Sequence, residues 1–219
     1  MFEKPKVKLT ERERQYQIAL RENAAVLGKR FMVMFIISVV SVGLSVITIL
    51  NAYVFSNPQI VFSFGAIDLA LSIAYVVMLF LIGKYNENFT HAGVAYILAQ
   101  IASVVKSLIL TQVGTLFSLM ASALSIAYIV KLCTGMEDCF NQVDAYLAET
   151  WVSFKKAFLI ITIASIACVL LVFVPILSFL AVIGALFCSI AAIVISVWQF
   201  VLLYRSSKTM TDFSKTTVE

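Results

Sequence analysis

The chain has 219 residues, of which 62% are hydrophobic and only 13% charged, and its mean hydropathy is +1.01; soluble domains are about half apolar and a quarter charged. These values exclude a water-soluble globule, and apolar runs near the ~20 residues of a membrane-crossing helix, separated by bounded loops, leave no room for an ordinary soluble domain. The net charge of +4 gathers at one set of predicted helix ends.

Residues 1–30 form a basic segment containing Lys4, Lys6, Lys8, Arg12, Arg14, Arg21, Lys29 and Arg30, with Tyr16, Leu20, Ala24 and Leu27 on one side of a potential helix. The first apolar run, Phe31 to Phe55, lacks a small-residue cleavage site and exceeds the ~7–15 apolar residues of a secretory signal. It is read as a retained first membrane helix. Further spans are expected at Pro58 to Gly83, His91 to Thr111, Val113 to Lys131, Lys156 to Val174 and Leu180 to Tyr204. Between the fourth and fifth, residues 132–155 predict a cytoplasmic amphipathic helix, since Leu132, Met136, Phe140, Val143, Leu147, Trp151 and Phe154 recur at intervals of three and four. Its other face carries Glu137, Asp138, Asn141, Asp144 and Glu149, a poor match to anionic lipid. Residues 205–219 are a polar tail. The expected fold is all-α: a polytopic bundle of six transmembrane helices arranged as three hairpins in a membrane domain spanning 31–204.

Lys106 apart, every Lys and Arg lies before the first span, between the second and third, between the fourth and fifth, or after the sixth. The other three connections carry none. The positive-inside rule then places both termini in the cytoplasm of a multi-pass protein of the plasma (inner) membrane, with the hairpin tips outside. The sequon Asn88 to Thr90 falls in a cytoplasmic loop and is discounted.

The octet "ALSIAYVV" ending at Val77 returns as "ALSIAYIV" ending at Val130, and the serine-centred segments around Ser41, Ser103 and Ser165 also align. Internal repeats are common in transporters, where the repeat interface tends to hold the substrate site. At 100° per residue, Ser72 and Tyr75 share one helical face, as do Ser125 and Tyr128, and packing is the favoured reading of that face. The informative mismatch is Asp68, where the second copy has Ala121.

An acid near mid-depth costs about 2.5–3.5 kcal/mol on insertion scales. Lys106 is the other ionisable group expected inside a span, and a vertical offset of roughly 6 Å at 1.5 Å per residue lets a lysine reach Asp68. The candidate intramembrane site is therefore Asp68, Lys106, Ser72, Tyr75 and Ser103. A register-fixing Asp68 to Lys106 pair is the competing account, and snorkelling is the alternative for Lys106 alone. Gln100, Gln112, Asn51 and Gln199 are read as interfacial.

Cys133, Cys139, Cys168 and Cys188 match no metal or redox spacing, and His91 is the only histidine. No metal and no cofactor are expected. The absence of a phosphate loop, HExxH and GxSxG leaves no visible catalytic apparatus, so no enzyme activity is expected. The expected function is a transport component, either a small-solute or ion carrier or the permease subunit of a larger complex. The alternative is a membrane scaffold or accessory subunit that binds a partner. The partners expected are the lipid bilayer and a protein at the cytoplasmic face, met through Phe140, Trp151, Glu137, Asp138 and Asp144. A homo-oligomer is left open, and nucleic acid is excluded.

Overall fold

Apolar runs of this length have one economical form in a bilayer, because a helix satisfies every backbone N–H and C=O within its own segment. The computed structural model describes residues 11–51, 58–108, 112–171 and 178–215. They form α1 (Glu11–Leu50), α2 (Pro58–Gly83), α3 (Glu87–Leu108), α4 (Gln112–Phe140), α5 (Ala145–Leu171) and α6 (Ser178–Lys215). All six are long and apolar enough to cross a membrane. The hairpin tips fall outside the described residues. Aliphatic and aromatic side chains such as Ile160, Ile163, Phe179 and Phe187 lie at least 65% exposed, a surface suited to lipid and not to water.

Each helix packs on its two neighbours in the chain, and α6 returns to pack on α1. The product is a closed six-membered ring in which, among the described residues, the backbones of non-adjacent helices stay apart. Side chains fill the middle. At the end where α1 begins and α6 ends, the base, Phe31, Phe89, Phe140, Trp151 and Phe154 are fully buried. The Phe31 ring lies 6.2 Å from that of Phe89 and 6.1 Å from that of Phe140, while Phe154 sits edge-on to both Trp151 and Trp198. Burial fades toward the tips: no described residue of α5 beyond Phe154, or of α6 between Phe179 and Val194, is buried.

The stretch 132–155 is helical and amphipathic but is not a separate element. A turn at 141–144 divides it, so that its first part completes α4 and its second begins α5. Asp144 is the cause: its Oδ1 accepts a hydrogen bond from the Leu147 N–H at 3.1 Å, the arrangement of an N-cap. On the other side of the turn, the N–H groups of Asn141 and Asp144 close on the carbonyls of Glu137 and Phe140. The apolar stripe thus faces the basal core from two helices. In the same way, the basic segment from Glu11 onward is the start of α1, whose 40 residues extend about 60 Å at 1.5 Å per residue.

The ring closes where α1 meets α6. Ser207 Oγ donates to the Gly28 carbonyl at 2.7 Å, and a Cβ on Gly28 would stand 3.0 Å from the Thr211 backbone N and 3.1 Å from the Ser207 carbonyl. The nearest atom, Thr211 Oγ1 at 2.6 Å, is side chain and can turn away, but the two backbone atoms yield only if the helices shift apart by a few tenths of an ångström. Gly43, in contrast, faces open space. Gly28→Ala should therefore destabilise the bundle by about 1–3 kcal/mol, whereas Gly43→Ala should be neutral or gain up to about 1 kcal/mol of helix propensity. Thermal unfolding of the two variants in mild detergent reads the difference, and equal effects would mean that the α1–α6 approach does not limit stability.

Candidate functional site

On α2, Asp68, Ser72, Tyr75 and Leu79 recur at intervals of four, three and four, so one helical face runs from an acid through two hydroxyls to an aliphatic group buried in the base. Asp68 is ten residues inside α2, about 15 Å from Pro58. Its Oδ1 accepts a 2.5 Å hydrogen bond from Ser41 Oγ on α1. Many serine and threonine hydroxyls of the described helices bond back to the carbonyl four residues earlier, including Ser38, Ser45, Ser125, Ser165 and Ser196, which spends their proton locally. Ser41 instead directs its proton at the carboxylate. A hydroxyl bonded to an ionised acceptor is among the stronger neutral-donor contacts.

Below this pair lie three tyrosines from consecutive helices. Tyr75 on α2 and Tyr128 on α4, at matching places in the two octets, meet hydroxyl to hydroxyl at 2.6 Å. Tyr96 on α3 packs between them, its ring centroid 5.6 Å from Tyr75 and 5.2 Å from Tyr128. Its hydroxyl reaches Ser72 Oγ at 3.5 Å. Tyr75 and Tyr128 are buried, and each hydroxyl has the other as its partner, as the cost of burying an unpaired polar group requires.

The tyrosines form the floor of a central cavity of about 210 Å³, which Ser38 and Ser41 of α1, Ser72 of α2, and Ser196 and Gln199 of α6 complete. A larger groove of about 410 Å³ runs between α2 and α3, with Asp68, Ser72, Tyr96 and Gln100 among aliphatic walls. A third space, of about 250 Å³, lies where Ala99, Gln100 and Ser103 of α3 face Ser125 and Tyr128 of α4 and Phe158 of α5. Tyr96 borders all three. Ser72 borders the first two, and the Tyr96 to Ser72 contact stands between them.

Of the expected intramembrane residues, the structure brings together Asp68, Ser72 and Tyr75. Ser103 lies apart, in the third space. Lys106 is exposed in the last described turn of α3, and among the described residues no ion pair links it to Asp68. The reason is position: two residues from Leu108, it can reach water with its ammonium while its stem stays in lipid. The residues expected to meet a partner separate likewise. Phe140 and Trp151 are fully buried, and Trp151 Nε1 donates to Ser206 Oγ at 3.0 Å inside the base. Glu137 pairs with Lys155 at 2.8 Å, Asp144 caps α5, and Asp138 is exposed but accepts hydrogen bonds from the side-chain amides of Asn86 and Asn88. Periodicity identified an apolar face but not which side of it would be covered.

Sequence reasoning missed Tyr96, whose surroundings repeat neither octet, and assigned Gln199 to the interface although it lines the cavity. Its signal is registration: Gln199 and Ser196 are three residues apart on α6 and share a face with the buried Leu203. Ser41, found as the centre of a serine-rich segment, had no visible partner without the fold.

Comparison with known protein families, curated proteins and solved structures gave no match.

The tyrosine pair makes a clear prediction. Tyr75→Phe or Tyr128→Phe alone leaves one buried hydroxyl without its partner and should cost about 1–3 kcal/mol, while the double change removes both groups and should cost less than the sum. Additive losses in thermal unfolding would mean the hydroxyls do not depend on one another.

Proposed function

We propose that the chain is a membrane transport component whose central cavity receives a small polar solute or ion, with Asp68, in the adjoining groove and hydrogen-bonded to the cavity-lining Ser41, as the charged group beside it. One observation carries the reading: a mid-span cavity lined by several hydroxyls and Gln199 among apolar groups, inside a ring of helices, with a buried aromatic layer on one side and progressively exposed helix faces on the other. Pockets that accept solutes combine shape with a few convergent polar groups, and an intramembrane acid is a functional-site candidate by default. The distribution of Lys and Arg supports placing both termini and the basal layer in the cytoplasm. In that orientation the bundle is closed on the cytoplasmic side and open outward. The near-identical octets support an origin of the first two hairpins by duplication, with their tyrosines meeting under the cavity.

A non-transporting accessory subunit draws on a different observation, the close-packed base with Asp138 on its exposed rim. Solvent access separates the two. In a chain with Cys139, Cys168 and Cys188 changed to alanine, a membrane-impermeant cationic thiol reagent added from outside should label Ser196→Cys in the cavity and leave Cys133, buried in the base, unmodified. Asp68→Asn should lower that labelling rate severalfold by removing the charge that attracts the reagent. An unlabelled Ser196→Cys in folded protein would overturn the reading and favour a closed scaffold.

A further inference from the structure

The groove between α2 and α3 differs from the central cavity in ways that matter for what it can hold. Its volume of about 410 Å³ lies in the range of roughly 300–1,000 Å³ typical of small-molecule sites, and its composition, mostly aliphatic with a few polar groups, is that of such sites. Leu69 and Ile101 on its walls are 62% and 54% exposed, so the groove is open on the surface that meets lipid. Its polar groups are Asp68, Ser72 and Tyr96, which are half-buried, and Gln100, which is exposed. The carboxylate is the only charge among the lining residues. Ser41 supplies it with a hydrogen bond but no countercharge, and Lys106 does not pair with it.

We propose that this groove is a binding site for a free amphiphilic organic monocation, which enters from the membrane, lays its apolar body along α2 and α3, and supplies the countercharge to Asp68. Charge complementarity selects a cation over a neutral acyl chain. Depth selects a free molecule over a phospholipid, because Asp68 lies about 15 Å along α2 from Pro58, whereas a phospholipid's charged group is held at the interface. The lateral opening suits a ligand that partitions into the bilayer first. Ser72 and Tyr96 border the central cavity as well, so a cation at Asp68 lies one side-chain contact away from it. The proposal rests on the reading of Asp68 as the functional acid, yet binding in the groove requires no passage through the ring.

The test is equilibrium binding of tetraphenylphosphonium to the purified full-length protein in mild detergent, with tetraphenylborate as the anion of like shape. Saturable binding of the cation near one per chain is expected, with at least tenfold weaker binding of the anion. Asp68→Asn should weaken the cation tenfold or more, and Asp68→Glu should keep it within about threefold. Leu69→Trp, at an exposed wall position, should also weaken binding by filling the groove, and it keeps the test open if Asp68→Asn fails to fold. Equal binding of cation and anion, indifference to both Asp68→Asn and Leu69→Trp in folded protein, or no saturable binding would each overturn the proposal. Binding that passes these tests while Ser196→Cys stays closed to the impermeant reagent would keep the groove site and remove the transport reading; the reverse pattern would do the opposite.

Discussion

Closure of the ring between α1 and α6 is the constraint from which the interior follows. In lipid there is no hydrophobic drive to bring apolar helices together, so association depends on close approach and on polar contacts between backbones and small side chains. At the basal end, where α1 and α6 carry their basic residues, Gly28 lets α6 come close enough for Ser207 to reach its carbonyl and fixes the approach of the two helices as they enter the membrane. Once six helices close in chain order with no helix inside, the middle is too wide for backbones to meet. Whatever fills it must be side chain, and side-chain size then decides where the ring is solid and where it is hollow.

That size falls off from base to tips along nearly every inward face. On α1 the sequence runs from Phe31 and Met34 to Ser38 and Ser41; on α2 from Ile82 and Leu79 through Tyr75 to Ser72 and Asp68; on α4 from Phe140 and Met136 through Tyr128 to Ser125 and Ala121. Phenylalanine and tryptophan span the gap, tyrosine spans it only by pairing hydroxyls, and serine does not span it. The cavity begins at the level where tyrosine gives way to serine. Polarity changes at the same level for a related reason, since a hydroxyl on the rim of a hollow is solvated there and would be costly in a dry layer.

The six helices were legible because apolar length and charge distribution act over whole segments, and small errors of boundary do not change them. The basal helix was legible as an amphipathic period but not as two helices, because the hydrophobic pattern carries through the turn at 141–144. The local signal was present in Asp144, a good N-cap residue read only as part of an acidic face. The site was half legible. Asp68 announces itself by cost, and Ser72 and Tyr75 by repetition, but contacts such as Ser41 to Asp68 and Tyr96 to Ser72 join residues of different helices and depend on rotation about each axis, which periodicity leaves undetermined by about a residue.

Lys106 shows why the choice of partner matters for the chemistry. Had it paired with Asp68, the acid would be neutralised within the fold and its cost offset permanently, as structural ion pairs in membranes do. A serine offers a hydrogen bond that holds the carboxyl group in place but brings no countercharge. Two residues before the second octet, at the place matching Asp68, Ala121 is buried and does the opposite work of letting helices approach. Two stretches of nearly the same sequence therefore divide the tasks: α4 contributes a packed wall, and α2 contributes the acid of the groove beside the cavity. On the reading proposed above, that acid is left to be balanced by something that can arrive and leave, which a fixed pair with Lys106 would not allow.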